Sequence, residues 1–244
     1  MRYFGTVSYF GMNYFGWQAQ PNGKGIEDKI ETLLSHILDE KINIIGSGRT
    51  DKGVHAYNQS FHFDYSKEIK DINHLIYALN RLLPKDIHIN SLKKVDDEFH
   101  SRFSAKKKEY IYKIYTGKQR PFYCLTHWVA PQALDIKLLK KAIKIFEGKH
   151  NFMSLTSKEK DDWKFIREIY SIKVNSTKDE IVIKLTGNGF MRYMVRYIVG
   201  EAVEVSLKRK SINELSKWFN SNKRKVSNHK APAEGLYLNK VYYE

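Results

Sequence analysis

The most unusual local sequence in the chain is Gly46-Ser47-Gly48-Arg49-Thr50-Asp51-Lys52-Gly53-Val54-His55-Ala56. Three glycines around an arginine and an aspartate describe a tightly folded backbone from which Arg49 and Asp51 project toward one place. An ionised carboxylate held there can serve as a nucleophile or as a base. Two phosphate-binding readings fail on spacing. The Walker order, Gly-Lys-Ser/Thr after four intervening residues, is missing, and the dinucleotide pattern GxGxxG breaks because Asp51 stands three residues after Gly48. A carboxylate at the centre would also repel phosphate unless a metal intervened. Taken alone, the loop equally fits an Asx-type turn whose aspartate caps its own backbone beside a surface arginine, the commoner outcome for an arbitrary Arg-Thr-Asp-x-Gly string.

Metal and thiol chemistry have little to work with. Cys124 is the single cysteine, so an intramolecular disulfide and a multi-cysteine zinc site are excluded. The nine histidines are scattered, with no HExxH spacing. Cys124-x-x-His127 supplies two ligands and no second pair, which fits a loop cysteine better than a metal centre.

These residues must be carried by a folded scaffold. The 244 residues are 42% hydrophobic and 14% aromatic, enough for one large domain or two packed halves. No apolar window approaches membrane-spanning length, and the N-terminus enters an alternating pattern without a signal-type segment, so a soluble, cytoplasmic protein is expected. Forty-two Lys plus Arg against 27 Asp plus Glu give +15. The charge is spread along the chain instead of being gathered on one amphipathic helix, which favours nucleic acid over a membrane surface.

Alternation at 2–9 predicts a strand, and Ile26, Ile30, Leu33, Leu34, Ile37 and Leu38 predict a helix over 26–40. Strands at 42–46 and 56–65, a helix at 71–83 and a strand at 87–95 complete a βαββαβ order. The second half repeats it: strand 107–116, helix 135–147, strands 166–175 and 180–186, helix 190–207 and strand 236–243, with an extra helix near 211–220. The expected architecture is α+β: two tandem split-βαβ halves, 1–105 and 106–244, forming a mostly antiparallel central sheet with helices packed on it. The segment 118–131 is the candidate connector. Lys106-Lys107-Lys108, Lys208-Arg209-Lys210 and Lys223-Arg224-Lys225 are short basic runs of the kind that usually mark solvated faces.

The string Gly-Arg-Thr-Asp-x-Gly-Val-His-Ala resembles the active-site loop of the TruA family of tRNA pseudouridine synthases. Four further motifs support the resemblance in order: Phe15-Gly16-Trp17-Gln18-x-Gln20, Phe99-His100-x-Arg102-Phe103-Ser104-Ala105 leading into Glu109-Tyr110-Ile111-Tyr112, the run Gly189 to Gly200, and Ala231-Pro232-Ala233-Glu234-Gly235-Leu236. The resemblance covers nearly the whole chain. It implies an isomerase that makes pseudouridine at positions 38–40 of the tRNA anticodon stem-loop, a homodimer, and an active-site cleft between the halves. It implies Asp51 as the catalytic carboxylate, Arg196 as its cationic catalytic partner, Tyr110 as the catalytic ring that stacks on an extruded uracil and whose phenol helps remove the C5 proton, and Leu236 packed against the base. Arg49 then holds the loop or the nucleotide, and Arg102, Lys106 and Lys108 track phosphates. The reaction transfers no electrons or external group, so no cofactor and no metal are expected. Without the resemblance, Arg196 reads as a side chain snorkelling at the edge of the stripe Met191, Met194, Val195, Ile198, Val199 and Ala202, and Tyr112 as a core aromatic. Lys52 departs from the small residue usual in that family and sets another positive charge beside the carboxylate. The competing readings are a related synthase acting on another RNA such as rRNA, and a non-catalytic RNA-binding protein on the same scaffold.

Overall fold

Strict alternation of buried and half-exposed residues makes Arg2–Tyr9 the strand β1, with Tyr3, Val7 and Tyr9 turned inward. The computed structural model describes residues 1–20, 24–118, 120–130, 133–157, 165–221 and 225–244. After β1 come helix α1 (Ile26–Leu38), β2 (Ile44–Gly46), β3 (His55–Asp64), α2 (Ile72–Leu82) and β4 (Ile87–Val95). They are followed by β5 (Lys107–Tyr115), β6 (Trp128–Val129), α3 (Ile136–Ile143), β7 (Gly148–Asn151), β8 (Ile166–Ser176), β9 (Glu180–Gly187), α4 (Met194–Ser206), α5 (Ile212–Phe219) and β10 (Leu236–Tyr242). The α+β class and the doubled βαββαβ order match the expectation from the sequence. Two short strands, β6 and β7, are additions to it.

The chain divides into two compact units, residues 1–106 with 237–244, and residues 107–236. In the first, β1 lies between β4 and β3 and pairs antiparallel with both; β2 adds antiparallel to β3, and β10 pairs with β3 in parallel through Tyr237↔His55 and Leu238↔Ala56. Tyr237 is stacked on His55 and on Tyr57, with ring centroids 4.6 and 4.9 Å away. Ile26, Ile30 and Leu34 of α1 and Leu75 and Leu79 of α2 are buried, as a helix with one apolar stripe requires. Asp71 caps α2 by accepting from the His74 amide at 2.8 Å.

The second unit carries β5, β9, β8 and β7 as a successive antiparallel run, with β6 parallel to β5. α3 packs on α4 and α5. The helix expected at 190–207 begins only at Met194, because Tyr193 takes the left-handed conformation (φ 64°, ψ 0°) and breaks the helical path before it. Met191 is therefore buried in the preceding turn and is not part of the helical stripe. Residues 119, 131 and 132 of the expected connector and 223 and 224 of the third basic run lie outside the described residues, as does 158–164.

His62 on β3 is buried. Its Nδ1 accepts from the Ser101 amide at 3.2 Å and lies 2.9 Å from the Ser101 hydroxyl, which itself donates to the Ile45 carbonyl at 2.6 Å. Its Nε2 has no hydrogen-bond partner among the described residues. Burial, helped by the positive charges of Arg2 and His100, pushes its pKa down to about 4. The folded state thus resists a proton that the unfolded chain accepts near 6.5. Stability is fully present above that value and is lost as pH falls from 6.5 toward 4, by about 3 kcal/mol at most. Urea unfolding at pH 7 and pH 4.5 checks this: His62→Gln should lose less stability between the two pH values than the wild type does.

Candidate active site

The glycine-rich loop is fastened from several sides within the first unit. Gln59 of β3 donates from Nε2 to the Gly48 carbonyl at 2.6 Å and accepts from the Ser47 hydroxyl at 2.9 Å. The Ser47 amide donates to the Ser60 carbonyl at 2.7 Å, and the Trp17 amide to the Thr50 carbonyl at 3.2 Å. The Tyr9 and Thr50 hydroxyls meet at 2.8 Å. Asp51 then closes a turn by accepting from the Val54 amide at 3.1 Å, with Gly53 at φ 80° supplying the left-handed step. The Asp51 side chain is half-buried.

The Phe15-Gly16-Trp17 motif is the loop's buttress. Gly16 sits at φ 98°, and a β-carbon added there would come within 2.3 Å of the Thr50 carbonyl oxygen. Buried Trp17 donates from Nε1 to Glu27 at 3.0 Å. Burial raises the Glu27 pKa, opposed by hydrogen bonds from Ala19 and Trp17 and by the charge of Arg49. Arg49 itself is exposed. The Lys52 ammonium lies 4.3 Å from the centre of the Phe15 ring, so a cation–π contact engages the charge that the sequence sets beside Asp51. Arg102 and Lys106 are exposed in the same unit; Arg102 lies over the Phe103 ring at 5.6 Å, and the Lys106 amide donates to Tyr242 at 2.8 Å.

In the second unit Tyr110 and Lys108 share one side of β5, both half-buried. The Tyr110 ring meets Phe190 edge to face at 5.1 Å. Tyr112, next on that side, is fully buried and donates to the Pro232 carbonyl at 2.8 Å. Arg196 is 9% exposed and donates from Nε to the Ala231 carbonyl at 2.7 Å, while the Ala231 amide returns a bond to the Arg196 carbonyl at 3.1 Å. It is therefore a fixed, buried group, not an edge residue. Two consecutive carbonyls, of Ala231 and Pro232, thus hold the arginine of α4 and the tyrosine of β5. Burial drives the Tyr112 pKa well above its usual value, reinforced by Glu234 and opposed by Arg196. Buried Leu236 follows a turn in which its amide donates to Ala233 at 2.9 Å.

The sequence reading passed over Gln59 and Tyr193. A buried glutamine three residues past the motif carries no periodic signal, and a left-handed tyrosine has none either. His127 has both ring nitrogens engaged, by Thr126 at 2.8 Å and Glu180 at 2.9 Å, while the Cys124 thiol donates to the Pro121 carbonyl. Among the described residues no three His, Cys, Asp or Glu side chains gather as metal ligands, and no helix is long and apolar enough to cross a membrane.

A strongly basic α+β chain with a backbone-pinned carboxylate loop in one unit, and an aromatic strand beside a buried arginine in the other, fits the class of RNA-modifying enzymes. The family model described as tRNA pseudouridine synthase matches residues 6–104 and 142–244. A tRNA pseudouridine synthase A of Mycoplasmoides gallisepticum is 40% identical over 240 residues, covering 98% of this chain and 90% of that one. The protein named tRNA pseudouridine synthase A 1 of Protochlamydia amoebophila is 38% identical, covering 98% and 95%, and a synthase A of Staphylococcus aureus is 37% identical, covering 100% and 92%. The chain belongs to the tRNA pseudouridine synthase family, and its activity class is that of an isomerase converting uridine to pseudouridine in tRNA.

Proposed function

We propose that the chain makes pseudouridine at positions 38–40 of the tRNA anticodon stem-loop, with Asp51 as its catalytic carboxylate. The observation that carries this reading is the loop 46–56: a family-type Asp on a backbone tied down by Gln59, Trp17, Tyr9 and Ser60. A carboxylate that must meet one ribose carbon gains from such prior fixing.

In this reading the uridine is extruded from the stem, and Asp51 attacks C1′ or removes a ribose proton, so that the C1′–N1 bond breaks. The uracil turns, C5 bonds to C1′ as the Asp51–C1′ bond breaks or the ribose proton is returned, the C5 proton leaves and N1 gains one. The product is an isomer and no electrons are exchanged. Tyr110 stacks on the base, Leu236 packs against it, and Arg196 is the cation that keeps the carboxylate charged. Arg49, Arg102, Lys106 and Lys108 take phosphates. The enzyme works in the cytoplasm as a homodimer. The resemblance and the +15 charge support these assignments.

Transfer RNA labelled with tritium at uracil C5 tests the proposal. Release of tritium, with pseudouridine mapped to positions 38–40 and lost on gene deletion, is the expected result. Labelled tRNA that releases nothing while rRNA does would redirect the substrate assignment. Sedimentation equilibrium at twice the chain mass is expected for the dimer.

A further inference from the structure

Tyr193 is a bulky aromatic residue at φ 64°, a conformation that side chains other than glycine, asparagine and aspartate seldom adopt. Strain of this kind persists only where the surroundings enforce it. Here three cations surround the ring: the Lys230 ammonium at 4.4 Å from its centre, the Arg192 guanidinium at 4.7 Å and the Arg196 guanidinium at 5.4 Å. Arg192 also donates from Nη2 to the Tyr193 hydroxyl at 2.8 Å. Lys230 is delivered by the same segment that binds Arg196, since Ala231 accepts from the Arg196 Nε.

Three positive charges around one ring repel each other, because no two can lie farther apart than about 10 Å, close to the Debye length at physiological salt. The ring's quadrupole offsets part of this repulsion. Lys230 and Arg192 are exposed, and Lys230 makes no ion pair with a described residue. A polyanion that reaches this ring finds two exposed cations already gathered beside a third that is buried.

We infer that Arg192 and Lys230, gathered on the Tyr193 ring, form a seat for an RNA backbone phosphate next to Arg196. The inference rests on the reading of this chain as an RNA isomerase and deepens it, by assigning where the strand flanking the target nucleotide is gripped. The seat reads no sequence; it sets register and contributes a salt-dependent part of affinity.

Affinity of an anticodon stem-loop RNA, measured across a salt series, tests this with wild type, Arg192→Ala, Lys230→Ala, the double variant, and Lys178→Ala as an exposed control in the 176–180 turn. Each seat substitution should lower the slope of log K against log salt by about one, and the double variant by about two. Kd and KM should rise roughly five- to tenfold per substitution at physiological salt, with Lys178→Ala unmoved. A double variant whose slope equals that of Lys178→Ala would overturn the seat. Inorganic phosphate or uridine monophosphate should bind wild type at least about a thousandfold more weakly than the RNA; equal affinity would make this a free-anion site and overturn the backbone assignment. A wild type that grips RNA through these residues yet forms no pseudouridine would overturn the functional reading and leave the seat standing.

Discussion

Asp51→Asn should bind tRNA within about threefold of wild type and release no measurable tritium from C5-labelled uracil, a loss of at least about 10⁴-fold. The substitution keeps the side chain's shape and removes the charge. Ties through backbone groups and the side chains of Gln59, Ser47, Tyr9 and Thr50 remain to hold the loop in the variant. An amide can neither attack C1′ nor accept a ribose proton at a useful rate. Release at the wild-type rate would sink the assignment of Asp51. Loss of tRNA binding together with a lowered melting temperature would mean that the variant had damaged the loop, and Asp51→Glu, which keeps the charge and lengthens the reach, would then separate charge from position.

Gly16→Ala carries the second large effect. An L-residue at φ 98° is strained by about 1–3 kcal/mol, and its β-carbon collides with the Thr50 carbonyl, the atom that accepts from the Trp17 amide. Relief requires residues 50 and 51 to move away from the buttress. A displacement of about 1 Å costs on the order of 100-fold in rate, so kcat should fall by that factor while the melting temperature drops several degrees. Steady-state kinetics and a thermal melt on one preparation check both. Wild-type kcat with an unchanged melt would show that the loop is not held through Gly16.

The elements were legible where one physical signal dominated. Ile26, Ile30 and Leu34 recur at helical spacing and α1 follows; β1 alternates and buries alternate residues. α4 was misplaced at its start because Gly189 to Tyr193 is as apolar and aromatic as the helix it precedes, and only the backbone of Tyr193 separates the two. The two-residue β6 is too short for any periodicity, and β7, Gly148-Lys149-His150-Asn151, has no apolar alternation at all. At the site, the residue types of the loop spelled out Asp51 and Arg49, but its support did not, because Gln59 ties the loop with a single side-chain amide and Trp17 with its backbone amide, neither of which leaves a pattern in the sequence. Arg196 illustrates the same limit. Its neighbours form an apolar stripe, and the sequence alone left it at the edge; its burial follows from the Ala231 carbonyl, 35 residues away in the chain.

A ribosome assembling this protein finishes residues 1–106 well before it makes Tyr237 and Leu238, the partners of His55 and Ala56 in β3. At about 5–20 residues per second the interval is roughly ten seconds. Throughout it the strand that leads out of the Asp51 loop presents unpaired amides and carbonyls, and Tyr237 is not yet there to cover His55 and Tyr57. An open edge of this kind invites pairing with other nascent chains. The first unit therefore reaches its final form after translation of the second, not before it. A chain that stalls or is clipped before β10 carries every residue of the glycine-rich loop without the strand that steadies its exit, so maturation of the loop waits on the synthesis of β10.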